Sequence, residues 1–424
     1  MRNIKKIFSH IVIIAIVTTT SVLSQNMIDR SKLYSDYALT ENRKEYINDL
    51  NKKIKNAFGK ELNSASESEW RSLFREVGLI YYRNDDVYQA VKKAVYYSPS
   101  ASIKFNRSLV ETILILYPND FQEFINKIQG TTNDPTLFAY TIHYNLQQND
   151  SLNVREIFST ELKKRFPNWE NFSQLKFLNY YLINSETKTP NLKELFSHQF
   201  IKGKTIIYSL QRKNRSFTGL TIIKKPDGIF VKGKNDSIFY VKQLALSVSG
   251  LPGYLSQGNT PQGIFSIVGF YVSPTPSIGP TASVITRIPY EVSTELFYHG
   301  LVKNTKWEME DYKNLWPNGW QDYLPIFESL YAGKTGRRKI VMHGSVDDLT
   351  FYKDEPYYPL TPSKGCLTTK EIWSEATGKN IESDQTKLMN AFFSTGELEG
   401  FLVVIDIDDK ESDVAIEEIL PLLK

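Results

Sequence analysis

Near residue 200 the hydrophobic pattern of this chain switches from a helical period to short β-branched and aromatic runs, so the fold must join a helical segment to a sheet-containing one. Between about residues 31 and 195 the apolar positions recur every three or four residues. Within 84–97, Val87, Ala90, Val91, Ala94 and Val95 share one face, Asn84 or Asp85 stands where an N-cap belongs, and Pro99 lies just past the end. The pattern repeats. Leu109, Val110, Ile113, Leu114 and Tyr117 stay in step until Pro118, then Phe121, Phe124, Ile125 and Ile128 until Gly130. Asp134 and Pro135 supply a cap and a first-turn proline for a further helix through Leu146. No fixed-period repeat identifies a solenoid, so this half reads as a small helical array serving as a spacer or docking module. His143, alone on its helix, reads as a packed or surface residue.

Beyond residue 200 the runs 205–208, 220–223, 229–231, 238–241 and 244–246 read as strands, separated by turn signals at Pro226-Asp227-Gly228 and Lys234-Asn235-Asp236. Further strand-like runs at 339–342 and 401–407 flank an expected helix at 383–393. With 424 residues the chain is long enough for two cores. The expected class is α+β: a helical module over 26–198, then a mainly β domain over 200–424.

Arg2, Lys5 and Lys6 precede the apolar stretch 11–17, and small residues surround Val22-Leu23-Ser24. That layout is a secretory signal peptide over 1–24, which places the mature chain outside the cytoplasm, in the periplasm or cell wall. The net charge of +4 is spread along the chain, without the basic stripe of a nucleic-acid binder. Against this background the single cysteine stands out, because exported proteins ordinarily keep cysteines in disulfide pairs. Cys366 is therefore an inert buried thiol, an intermolecular link, or a nucleophile.

Its neighbours favour the nucleophile. Ile340-Val341-Met342-His343-Gly344-Ser345 is a strand delivering a histidine, and Ser363-Lys364-Gly365-Cys366-Leu367-Thr368 is a small-residue turn delivering the thiol. Thiol catalysis needs a base to form thiolate, a proton for the leaving group, and N–H donors for the oxyanion. His343 is a candidate base, and Gly365 lets backbone N–H groups approach a substrate closely. Upstream, Ser247-Val248-Ser249-Gly250 is followed by Asn259-Thr260-Pro261-Gln262-Gly263-Ile264-Phe265, a turn entering another strand.

These three segments, in this order, resemble the L,D-transpeptidase (YkuD-type) catalytic domain over roughly residues 205–410. The resemblance implies that Cys366 is the acylated nucleophile and His343 the general base. Gly365, Ser363 and Gly344 would shape or support the oxyanion site, and Lys364, Thr368 and Thr260 would lie against substrate. It implies attack on a peptidoglycan tetrapeptide stem with loss of the terminal D-alanine, then transfer to an amine of a second stem. The outcome is wall crosslinking or remodelling, and through it cell shape, with no metal or cofactor. Water as acceptor would instead give an L,D-carboxypeptidase or an amidase, and a non-catalytic wall-binding protein whose helical half recruits a protein partner is a further alternative.

Two positions depart from that family. Lys364 stands where histidine is common, and Thr368 where asparagine or arginine is common, so substrate contacts there are expected to differ. Lys364 either stabilises a thiolate or substrate carboxylate or is simply solvated. The loop between His343 and Ser363 holds Asp347, Asp348, Asp354 and Glu355, either a cation or amine site or an exposed acidic loop. Trp307, Tyr312, Trp316, Trp320 and Tyr323 form either a lid over the stem peptide or a packing layer. His299-Gly300 is a second His-Gly pair, set aside because a β-run feeds directly into His343.

Overall fold

The computed structural model describes residues 28–423 apart from 185–186, 202 and 303–305. The expected signal peptide lies outside the described residues. The fold is α+β, an N-terminal helical region followed by a closed β-barrel.

Helices α1 (Thr40–Phe58), α2 (Glu67–Leu79), α3 (Asp85–Tyr97), α4 (Ile103–Leu116), α5 (Gln122–Thr131), α6 (Pro135–Gln148), α7 (Leu152–Arg165) and α8 (Ser173–Ile183) follow one another through short turns. Their starts are set by local chemistry. Asn84 Oδ1 accepts the Val87 N–H at 2.9 Å, and Asp134 Oδ1 accepts the Leu137 N–H at 2.7 Å, each satisfying a donor that a helix start leaves orphaned. Val87, Ala90, Val91 and Ala94 are all buried, as the period requires.

The barrel closes in the order β1 (Thr205–Arg212), β10 (Gly400–Asp408), β4 (Gly263–Tyr271), β5 (Ser283–Arg287), β6 (Val341–His343), β7 (Leu367–Thr369), β3 (Val241–Leu244) and β2 (Gly219–Lys224), which returns to β1. Among these eight strands only the β1–β10 and β6–β7 pairs are parallel. β8 (Glu371–Trp373) and β9 (Asn380–Ser383) make a separate hairpin. Strand β1 is buried along its whole length because both faces are covered. Ile206, Tyr208 and Leu210 join one core with Phe401, Val403 and Ile405, while Ile207 joins another with Leu402, Val404 and residues Leu388, Met389 and Phe392 of α13 (Asp384–Phe393). Double burial explains why these strands read as continuous apolar runs rather than alternating ones. The run 229–231 forms no strand: Phe230 makes one isolated bridge to Lys224, and Lys232 just beyond it another to Ile238, because tight turns on both sides leave no length to pair.

The two halves do not meet at one linker. Residues 28–39 lie on the barrel half: the Ile28 N–H donates to Asn390 Oδ1 at 2.7 Å and Tyr34 bridges Lys379. Helix α9 (Leu192–Ser197) likewise sends Leu195 and Phe196 into a barrel core. In return, Val248, Leu251, Tyr254 and Leu255 from the loop after β3 are buried in the helical core. Each such apolar side chain contributes about 1.5–3 kcal/mol when removed from water, so this loop is anchored by the helical half. His143 belongs to that anchor, its Nε2 lying 2.7 Å from Tyr254 Oη.

Candidate active site

The β6–β7 pair positions the residues singled out by their chemistry. Met342 is registered with Leu367, and His343 with Thr368. Met342 and Leu367 point into the core beneath α13. Side chains alternate across a strand, so His343 and Thr368 face the opposite way, and Cys366 immediately precedes β7. The turn that carries Cys366 therefore leads straight into the strand paired with the one that ends at His343.

The imidazole is buried, and its Nδ1 lies 2.6 Å from Gly344 O. A carbonyl can only accept, so Nδ1 carries the proton and Nε2 is the basic nitrogen. Burial holds the His343 pKa below the ordinary histidine value despite that hydrogen bond. A neutral imidazole results.

Cys366 is partly buried and unpaired. Its Sγ lies 3.7 Å from Lys339 O and also meets the Val341 N–H; among the described residues no hydrogen bond joins it to His343. Burial raises the thiol pKa, opposed by the Val341 N–H and the Arg337 charge. The resting site therefore holds a thiol and a neutral base with no hydrogen bond between them, not a thiolate–imidazolium pair. Alkylation of Cys366 by iodoacetamide is accordingly expected to be slow at pH 7 and to climb roughly tenfold per pH unit toward pH 9, since only thiolate reacts. A fast rate already level between pH 5 and 8 would show an ion pair instead.

The turn around Cys366 is tightly held. Ser363 Oγ donates to Cys366 O at 2.9 Å and accepts the Gly365 N–H at 3.0 Å. Thr260 Oγ1 donates to Gly365 O at 3.0 Å. Gly365 has φ +103°, and a Cβ there would strike Arg337 and the Gly258 carbonyl, so only glycine fits. The Gly365 N–H would have to release Ser363 to serve an oxyanion. Gly344 lies against the buried Glu371, whose carboxyl a Cβ would meet; burial pushes that carboxyl up to about 7.

Other expected residues are occupied elsewhere. Thr260 and Thr368 are buried, and the Thr368 hydroxyl donates to Thr361 O. Lys364 turns toward a cavity shared with α2 and α4, where burial lowers its pKa to about 8. In the acidic loop, Asp347 accepts from Ser345 Oγ at 2.9 Å and Asp348 lies 3.8 Å from Arg43. Among the described residues no group of three or more His, Cys, Asp or Glu side chains could hold a metal ion. Tyr312, Trp316, Trp320 and Tyr323 are core, packed with Tyr208 and Phe327, and form no lid. His299 bonds Gly400 O and Ser266 Oγ, across the barrel from β7.

Two charged residues escaped the sequence reading. Arg337 donates to the carbonyls of Gly253, Leu255 and Gly258, while the Glu328 carboxylate accepts the N–H groups of Tyr254 at 3.0 Å and Gln262 at 2.8 Å. A cation on carbonyls and an anion on amides clamp one loop from both electrical senses. Because Arg337 also lies against Gly365, the clamp links the helix-anchored loop to the cysteine turn. Singly placed charged residues look solvated in sequence, and no period or motif marks these two.

The chain matches no family model, no curated protein and no solved structure.

Proposed function

We propose that this protein is an exported cysteine acyltransferase of the L,D-transpeptidase kind, acting on peptidoglycan stem peptides. The observation that carries the reading is the parallel β6–β7 pairing, which sets His343 at the end of β6 and Cys366 immediately before β7, with Nε2 left basic. In the proposed cycle, substrate binding brings the thiol proton to Nε2, and Sγ attacks the carbonyl of the third stem residue. The tetrahedral oxyanion collapses, the C–N bond to the terminal D-alanine breaks, and the imidazolium returns its proton to that leaving amine. An acceptor amine then attacks the thioester, losing its proton to Nε2, and the thiol is regenerated. Arg337, buried beside Gly365, is the nearest fixed positive charge for the anionic species.

Incubation with a disaccharide-tetrapeptide, followed by mass spectrometry, tests this directly. A 3-3 crosslinked dimer is expected from the native protein and none from Cys366→Ala. Tripeptide without dimer would move the assignment to a carboxypeptidase, and identical products from both proteins would remove Cys366 from any catalytic role.

A further inference from the structure

Beside the cysteine turn, on its helical side, lies a cavity of about 250 Å³ with a concentration of positive charge. Arg71 and Arg75 project into it from successive turns of α2, Lys104 and Arg107 from one face of α4, and Lys364 from the turn itself. Arg107 is neutralised by Asp134 at 2.6 Å. Among the described residues, Arg71, Arg75, Lys104 and Lys364 form no ion pair, although the whole chain carries a net charge of only +4. Holding like charges together costs stability, which a bound anion would recover.

A further polar group lines the cavity. Gln257 lines this cavity, and its buried Oε1 has no hydrogen-bond partner. As placed, that oxygen can only accept; an anion would require the amide turned over so that its N–H groups donate. We propose that this cavity binds a compact anionic group carrying at least two negative charges, either phosphate-like or a pair of carboxylates. Arginine forks suit both chemistries.

The carboxyl of Glu111 opposes the anion. It faces Lys364 and Arg75 with Tyr140 behind, Arg71, Lys104 and Arg107 line the same space, and Glu76 acts on Lys364 from α2. Burial raises Glu111 to about 7, so at pH 8 it is mostly ionised. Removing its charge should strengthen binding, an effect that loss of a structural residue would not produce.

This site does not depend on the reaction assigned to Cys366, and its test reads binding alone. Isothermal titration of the native protein at pH 8 and 150 mM salt uses pyrophosphate and glutarate as probes. At least one is expected to bind with Kd below about 1 mM. Tighter pyrophosphate would identify a phosphoryl ligand, and tighter glutarate a ligand with paired carboxylates. Arg75→Ala/Lys104→Ala should weaken binding by about tenfold or more. Glu111→Gln should tighten it severalfold. Lys163→Ala/Lys164→Ala, removing equal charge from exposed α7 positions, should leave it unchanged. Kd values for both probes above that limit, an equal loss in the α7 control, or no gain in Glu111→Gln would each overturn the proposal.

Discussion

Arg337→Leu is expected to cost about 3–5 kcal/mol of folding stability, the range for removing one partner from a buried charged network. The guanidinium is buried and serves three carbonyls of a single loop. Each carbonyl stranded without a donor loses about 1–3 kcal/mol, partly regained where the loop can reach water. Glu328 loses the smaller of two compensating cations, with Arg215 remaining; burial already holds that carboxyl near 7. Urea unfolding at pH 7 measures the loss. Arg337→Lys, which keeps the charge but not the three-way fork, should fall between the two. A loss below about 1 kcal/mol in Arg337→Leu would mean that the clamp contributes little and the helical core alone holds the loop.

His343→Gln should lower kcat/KM for stem-peptide transfer by about 10²–10⁴-fold, the usual contribution of a positioned general base. A glutamine amide can still donate to Gly344 O, but it has no basic nitrogen to replace Nε2. The same substitution should leave iodoacetamide labelling of Cys366 within about twofold of native, because in the resting site Sγ is held by Lys339 O and the Val341 N–H rather than by the imidazole. Transfer and labelling falling together would instead show that His343 merely supports the turn. Unchanged transfer would remove it from the mechanism.

The residues proposed as nucleophile and base were legible in sequence because they sit in short, locally distinctive segments. A β-run into His343 and a Ser-Lys-Gly-Cys turn need no distant information to be noticed, and the outline of β6 followed directly from that run. Strand β7 is only three residues long, too short for its period to mark it, yet it decides the geometry. Its parallel register with β6 brings together residues separated by a loop of more than a full helix's length. The aromatics at 312–323 show the converse failure. Their density could suit a lid or a core, and only packing against Tyr208 and Phe327 places them in the core.

The sequence by itself determined the order of helical and sheet regions and the helix caps at Asn84 and Asp134, and it singled out the candidate nucleophile and base. These rest on periodicity and on hydrogen bonds between near neighbours, both local properties of the chain. Tertiary structure alone decided that the thiol is protonated at rest, that Nε2 is the basic nitrogen, that Thr260 and Thr368 are bound internally, and that Arg337 and Glu328 tie the helical core to the cysteine turn. Protonation and loop geometry depend on burial and on partners brought from far along the chain, and such contacts exist only once the barrel has closed.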